Sequence, residues 1–95
     1  MPQLVFSPRA ERDLEEIGDY IARGNPARAL SFLDELRTRC DRVAANPTAY
    51  PAREDLAPGL RMAVHRRYLI FFRADADQVR IERILHGARR PPRAI

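Results

Sequence analysis

The side chains that could perform acid–base chemistry in this sequence come together at one place, where His86 is followed by Arg89. Histidine can accept or donate a proton near neutral pH, and arginine can stabilise negative charge that develops on a phosphate. The sequence shows no complete set of acid, base and nucleophile around this pair. We therefore favour a structural role for His86, in which it caps a strand and hydrogen-bonds the following corner, over a catalytic role.

The other candidate sites fit structural explanations better. His65 has no cysteine nearby and no second histidine at a ligand spacing, so we expect no metal site. Gly59 and Gly87 are isolated and form no phosphate-binding loop, and we expect no cofactor. Five carboxylates lie at helical spacing near a helix start, where the helix dipole favours negative charge, and we interpret them as a solvated helix face. These carboxylates are Glu11, Asp13, Glu15, Glu16 and Asp19.

The charge of the chain predicts a basic surface. All 17 basic residues are arginine, and the net charge is +4. Guanidinium groups suit the recognition of phosphate or carboxylate, although a GC-rich genome would also produce this composition. Either an acidic protein or a nucleic acid could be the partner, and composition does not choose between them. The arginines on the predicted strands and their edges are Arg61, Arg66, Arg67, Arg73, Arg80, Arg83, Arg89 and Arg90.

Two helices are predicted in the first half of the chain. Ser7-Pro8 and Asn25-Pro26 each combine a polar N-cap with proline at the first helical position. Apolar residues then recur at steps of three and four, and Asn46-Pro47 stops the second helix. Because the break between the helices is short, they must form an antiparallel hairpin. Cys40 falls on the apolar face of the second helix, and we interpret it as a core residue.

From Gly59 onward the apolar period changes to two, which predicts strands. Three strands joined by short turns form an antiparallel meander, and Leu4 to Phe6 is a further short strand. We predict one α+β domain over residues 1–95, with two layers, in which an N-terminal strand precedes a helix hairpin packed on an antiparallel sheet in the order β-α-α-β-β-β. The residues expected to form one core are Leu14, Ile17, Ile21, Phe32, Leu33, Leu36, Leu60, Met62, Val64, Ile70, Phe72, Val79, Ile81 and Leu85.

No apolar run approaches the length of a membrane span, which is about 20 residues. The first residues also lack the basic-then-apolar pattern of a signal peptide. We therefore expect no membrane association and a cytoplasmic location.

A set of short segments, taken in order, resembles a known family. The segments are Phe6-Ser7-Pro8, Asn25-Pro26-Ala27, Arg67-Tyr68-Leu69-Ile70-Phe71-Phe72-Arg73, and Val79 to Leu85 followed by His86-Gly87-Ala88-Arg89. They resemble the ParE branch of the RelE/ParE toxins of bacterial toxin–antitoxin modules. The resemblance extends over roughly residues 3 to 89.

The resemblance implies a partner and a target. It implies a toxin held inactive by a ParD-like antitoxin in a hetero-oligomer, and inhibition of DNA gyrase without chemistry by the toxin itself. It does not imply sequence-specific DNA binding by this chain alone. In the family, the C-terminal segment of the antitoxin lies in a groove beside the helix hairpin. The residues that we expect to bind the antitoxin are Leu14, Ile17, Tyr20, Ile21 and Phe32.

We expect toxicity to depend on the arginine-rich sheet and its C-terminal corner, through contacts and not through catalysis. The residues expected to contact the target are Arg61, Arg67, His86 and Arg89. One alternative is a RelE-type ribosome-dependent messenger ribonuclease, which in the superfamily uses basic residues and a C-terminal tyrosine. This chain has no tyrosine after Tyr68. A second alternative is an inactive module that retains only antitoxin binding.

Overall fold

Residues 2–88 are described by a computed structural model of the protein. The elements follow one another in the predicted order, with a short 3-10 helix after the second α-helix. They are β1 (Gln3–Phe6), α1 (Pro8–Ala22), α2 (Pro26–Ala45), the 3-10 helix (Pro47–Ala49), β2 (Arg61–His65), β3 (Tyr68–Ala74) and β4 (Gln78–His86).

Both helices begin at the residues that the sequence indicates. The Ser7 Oγ accepts a hydrogen bond from the Ala10 backbone N–H at 2.9 Å, and the Asn25 Oδ1 accepts one from the Arg28 N–H at 3.0 Å. Proline occupies the first helical position in each case, where its missing N–H has no consequence. The Ser7 hydroxyl also donates to the Glu82 carbonyl at 2.7 Å, so the same residue attaches the start of α1 to β4.

The sheet has the order β1-β4-β3-β2. Its meander of β2, β3 and β4 is antiparallel, as predicted. β1 pairs with β4 in parallel, so the complete sheet is mixed and not antiparallel as predicted. The reason is topological: the chain leaves β1 through the helix hairpin, and this long connection allows it to return in the same direction.

The helix hairpin packs on one face of the sheet and encloses the main core. The fully buried residues there include Leu36, Val43, Ile70, Phe72 and Ile81. The segment between the 3-10 helix and β2 covers part of the other face and adds a second, smaller cluster. That cluster consists of Ala57, Leu60, Phe71 and Leu85, with Leu56, Met62 and Leu69 packed against it.

The alternation along β2 is opposite to the one predicted. Val64 is 47% exposed, and Leu60 and Met62 belong to the second cluster, whereas Ala63 points into the main core. A shift of one residue moves every side chain of a strand to the opposite face of its sheet. The predicted phase followed the larger side chains, but here the helix layer accepts the small alanine.

A β-bulge changes the phase of β4 partway along the strand. Phe72 lies opposite Ile81 and Phe71 lies opposite Arg83, which leaves Glu82 as an extra residue. The main core therefore receives Ile81 and then Ile84, and Leu85 falls into the second cluster. The predicted placement of Leu85 in the main core is wrong for this reason.

Within residues 2–88, none of the helices combines the length and the apolar character needed to cross a membrane.

Candidate functional site

A groove of about 900 Å³ runs between the helix hairpin and the corner where the β2–β3 turn meets the end of β4. We call it the hairpin groove. One wall comes from α1 and the start of α2, and the other comes from the turn and the last residues of β4. Its lining residues are Asp13, Glu16, Ile17, Tyr20, Ile21, Arg23, Arg28, Phe32, Arg66, Arg67, Tyr68, Ile84, Leu85, His86 and Ala88.

Four of the five residues expected to bind the antitoxin line the hairpin groove. Tyr20 is 65% exposed and Ile21 is half-buried, so these two side chains present apolar surface to solvent. Ile17 and Phe32 are almost completely buried and form part of the groove wall. Leu14 does not line the groove and is 3% exposed, so it supports the wall from within the core and offers no surface to a partner.

The opposite wall is basic and firmly held. Arg67 lies exposed in the β2–β3 turn, and its carbonyl accepts a hydrogen bond from the Gly87 N–H at 2.6 Å. The His86 Nδ1 accepts from the Ala88 N–H at 3.1 Å, and its ring meets the Tyr68 ring edge to face at 5.3 Å. His86 therefore makes the corner hydrogen bond that the sequence analysis favoured.

Arg61 lies apart from the other residues expected to contact the target. It pairs with Phe72 in the sheet, whereas His86 pairs with Tyr68. Tyr68 and Phe72 are four steps apart along β3, which corresponds to about 13 Å at roughly 3.3 Å per residue. The Arg61 guanidinium donates to the Tyr50 carbonyl at 2.6 Å and fastens the segment before β2. Arg89 lies outside the described residues.

Asp13 is a buried partner of Arg83 and not part of a solvated face. Its carboxylate accepts from the Arg83 Nε at 2.8 Å, from the Arg83 Nη2 at 3.0 Å and from the Ile84 N–H at 2.9 Å. The bond to Asp13 raises the pKa of the Arg83 guanidinium, and the nearby charges of Asp13 and Glu16 act in the same direction. The other four carboxylates of the predicted face are exposed. Asp13 lies three residues after Ala10 and four before Ile17, so helical periodicity alone places it on the buried stripe.

A second polar cluster, centred on Glu35, was not anticipated from the sequence. The Glu35 carboxylate accepts from the Arg28 guanidinium, from the Arg66 Nε at 3.1 Å and makes a 3.2 Å contact with the His65 Nε2. The hydrogen bonds from Arg28 and then Arg66, with a smaller one from His65, lower the pKa of Glu35 from its ordinary 4.5 to about 2. The cluster ties α2 to the β2–β3 turn. No local signal could have found it, because its members are brought together only by the fold.

The chemistry that these residues support is binding. Burial raises the pKa of the Cys40 thiol to about 12, so this cysteine is an unreactive core residue. Throughout residues 2–88, no three His, Cys, Asp or Glu side chains are grouped so that they could hold a metal ion. The hairpin groove combines apolar side chains with four arginines, an arrangement that suits an amphipathic segment with acidic residues.

Comparison with known proteins identifies the family of this chain. A family model described as the ParE toxin of the type II toxin–antitoxin system parDE matches residues 4–91. Toxin ParE1 of Mycobacterium tuberculosis is 33% identical over 84 residues, which cover 86% of this chain and 86% of that protein. Toxin RelE2 of Caulobacter vibrioides is 35% identical over 91 residues, which cover 94% of this chain and 99% of that protein.

Solved structures share the fold. A chain of the chromosomal ParDE TA system from P. aeruginosa matches with a TM-score of 0.77 and 24% identity, over 90% of this chain and 96% of that one. A chain of the E. coli DinJ–YafQ complex matches with a TM-score of 0.55 and 18% identity, over 93% and 96%. At these identities the structures support the fold, while the family rests on the sequence matches. The resemblance seen in the sequence is thus confirmed, and the chain belongs to the ParE toxin family of type II toxin–antitoxin systems.

Proposed function

We propose that this toxin is neutralised by a ParD-like antitoxin that occupies the hairpin groove, and that it acts by binding DNA gyrase without catalysis of its own. The observation that carries the proposal is the groove itself, with exposed Tyr20 on one wall and Arg67 on the other, in a chain of the ParE family. The proposed target would place the site of action in the cytoplasm.

The two walls support an antitoxin segment of defined character. Tyr20 and Ile21 offer apolar surface that a helix or extended chain could cover, and aromatic anchors of this kind contribute strongly to interfaces. Arg23 and Arg67 line the same groove and would pair with acidic side chains. A solved relative comes from a system named ParDE, which supports a ParD-like partner.

The surroundings of His86 support binding in place of catalysis. Its Nδ1 is engaged by the Ala88 N–H, and its ring is packed against Tyr68. A base held in this way would have only Nε2 for a substrate, and no acidic partner orients it within residues 2–88. Arg67, His86 and Arg89 are the residues that we propose for gyrase contact, with Arg61 contributing from a separate position.

One observation favours a second candidate function. The relative with 35% identity is named Toxin RelE2, and the sequence analysis left open a RelE-type ribonuclease that acts on messenger RNA in the ribosome. An inactive module that only binds the antitoxin is the third candidate.

Two assays on the purified toxin separate these candidates. In the first, DNA gyrase supercoiling is titrated with toxin, and antitoxin is then added. In the second, messenger cleavage is followed on ribosomes. We expect inhibition of supercoiling, relief by antitoxin, and no cleavage. Cleavage without gyrase inhibition, abolished in His86→Ala, would establish the ribonuclease. Antitoxin binding with neither activity would establish the inactive module.

A further inference from the structure

The β2–β3 turn places an arginine where the backbone favours glycine. Arg66 has a φ of 54°, and among residues 2–88 it is the one non-glycine residue with a positive φ. Side chains with a Cβ are strained in this left-handed region, and such strain in a folded protein often coincides with a functional contact. We therefore expect an interaction of the Arg66 side chain that compensates for the backbone strain.

The bond to Glu35 uses only the Nε donor of the Arg66 guanidinium. Arg66 donates to Glu35 through its Nε, and no residue between 2 and 88 accepts a hydrogen bond from its Nη1 or Nη2. The side chain is 61% exposed. Glu35 also has Arg28 and His65 as partners, so its charge is compensated without Arg66. Among the described residues, the outer edge of the Arg66 guanidinium thus has no acceptor for its Nη donors.

The turn beneath these donors is held by a backbone hydrogen bond and by ring contacts. The Gly87 N–H bonds the Arg67 carbonyl, and a Cβ built on Gly87 would lie 3.1 Å from that oxygen, so the two segments are in close contact. The rings of His65 and Tyr68, on either side of the turn, both pack on Phe32, with centroids 5.7 and 5.5 Å away. A contact residue held on such a base loses little freedom on binding.

We infer that the turn formed by Arg66 and Arg67 is a target contact of this toxin, in which the free edge of the Arg66 guanidinium receives a carboxylate from an acidic protein surface. The inference rests on the proposed function, in which the target is a protein. A guanidinium edge binds a carboxylate through two parallel hydrogen bonds, which gives direction as well as attraction.

The charges around the turn suit an acidic protein surface. Arg66 lines the hairpin groove, which also contains Glu16, and a second hollow on its other side, which contains Asp34 and Glu35. Both hollows contain more arginines than carboxylates, so each attracts acidic side chains. A single carboxylate can approach the exposed guanidinium edge between them.

Three variants test the inference. Arg66→Gly removes the guanidinium and gives the turn the residue that its backbone favours, so it should fold at least as well as the wild type. Glu35→Gln keeps Arg66 but weakens its tie to α2. Arg12→Ala removes one exposed positive charge from α1, away from the groove. Each purified variant is titrated against DNA gyrase supercoiling, against antitoxin binding and, in cells, for growth arrest.

We expect Arg66→Gly to require about tenfold or more toxin for half-inhibition, as for an arginine at the centre of an interface. Glu35→Gln and Arg12→Ala should stay within about twofold of the wild type, the range of residues outside the energetic centre. Because Arg66 also lines the hairpin groove, antitoxin affinity should fall in Arg66→Gly as well, but by less than the potency against gyrase.

Three results would overturn the inference: wild-type potency in Arg66→Gly, an equal loss in Glu35→Gln, or a loss of antitoxin affinity in Arg66→Gly as large as its loss of potency. If the wild type cleaves messenger RNA on ribosomes and Arg66→Gly does not, the ligand of Arg66 is a phosphate and not a carboxylate. That result would also overturn the inference. If the wild type arrests growth without inhibiting gyrase, the proposed function fails. The role of the turn is then decided by growth arrest in the same variants.

Discussion

Asp13 and Arg83 form a two-pronged ion pair across 70 residues of sequence, with bonds of 2.8 and 3.0 Å, between α1 and β4. The Ile84 N–H donates to the same carboxylate. The bulged part of β4 extends beyond the end of β1, and Asp13 supplies the acceptor that a neighbouring strand would otherwise provide there. This pair therefore joins the helix layer to the sheet at the hairpin groove.

Asp13→Asn should destabilise the fold by about 3–5 kcal/mol, because Arg83 would keep its charge in a largely buried position without a countercharge. Chemical denaturation of the purified protein measures this change. Glu15→Gln removes an exposed carboxylate from the same helix and should change stability by less than about 0.5 kcal/mol. Equal stabilities of the two variants would mean that the pair is open to solvent.

Glu35 should make stability depend on acid pH. Its pKa of about 2 in the folded protein is below its ordinary value of 4.5, so folding stabilises the charged carboxylate. Its contribution is fully present above pH 4.5 and is lost as the pH falls through about 2. The difference in unfolding free energy between the wild type and Glu35→Gln should shrink across that interval. Added salt should reduce it at neutral pH, because these groups are accessible to solvent. A difference that stays constant with pH would show that these partners do not stabilise the charged form of Glu35.

Leu36→Ala should cost roughly 2–5 kcal/mol, because Leu36 is fully buried in the main core and its truncation leaves a cavity. Leu30→Ala is the matched control on the same helix, since Leu30 is 70% exposed. Urea denaturation of both variants gives the comparison. A loss below about 1 kcal/mol for Leu36→Ala would be inconsistent with the helix register.

Tyr20→Ala should weaken antitoxin binding by about tenfold or more without destabilising the toxin, because an exposed aromatic at an interface is a frequent anchor. Calorimetric titration with the antitoxin measures the affinity, and Leu30→Ala serves again as a control outside the groove. Binding of the wild type should weaken with salt but persist, since the apolar contacts are unscreened. Complete dissociation at moderate salt would exclude the apolar part of the proposed interface.

Arg67 should behave as a contact and not as a catalyst. Arg67→Lys replaces a forked donor by a point charge, and Arg67→Ala removes it, so half-inhibition of gyrase should move in two steps to higher toxin concentration with full inhibition still reached. Arg61→Ala is the informative comparison, because that guanidinium binds the Tyr50 carbonyl at a separate position. An equal shift in Arg61→Ala would mean that Arg61 and Arg67 belong to the same gyrase contact surface. Loss of inhibition at saturating Arg67→Ala would indicate catalysis.

Local signals predicted the helices well and the faces of the strands less well. Ser7 and Asn25 mark the helix starts because an N-cap is decided by a few neighbouring residues. The face of β2 is decided by the layer above it, which accepts Ala63 where the sequence suggested Val64. The bulge at Glu82 is likewise set by pairing between strands, and alternation along one strand cannot reveal it.

The candidate site divides in the same way. Helical periodicity placed Ile17 and Ile21 on the apolar face of α1, and the family resemblance added Tyr20 as an expected contact. The partners of Glu35 come from α2, β2 and the turn, and their meeting depends on the complete fold. The resemblance to a family supplied the expected groove, but the separation of Arg61 from Arg67 is visible only when the strands are paired.

The parallel pairing of β1 with β4 has a consequence for synthesis on the ribosome. β1 is made first, yet within residues 2–88 it pairs in the sheet with β4 alone, and the Ser7–Glu82 bond spans 75 residues. The helix hairpin can form from local contacts while the chain emerges, but β1 must wait for β4. The hairpin groove is bounded by β4 on one side, so it too is completed late. A nascent toxin therefore has neither its hairpin groove nor its β4 corner until translation has passed His86.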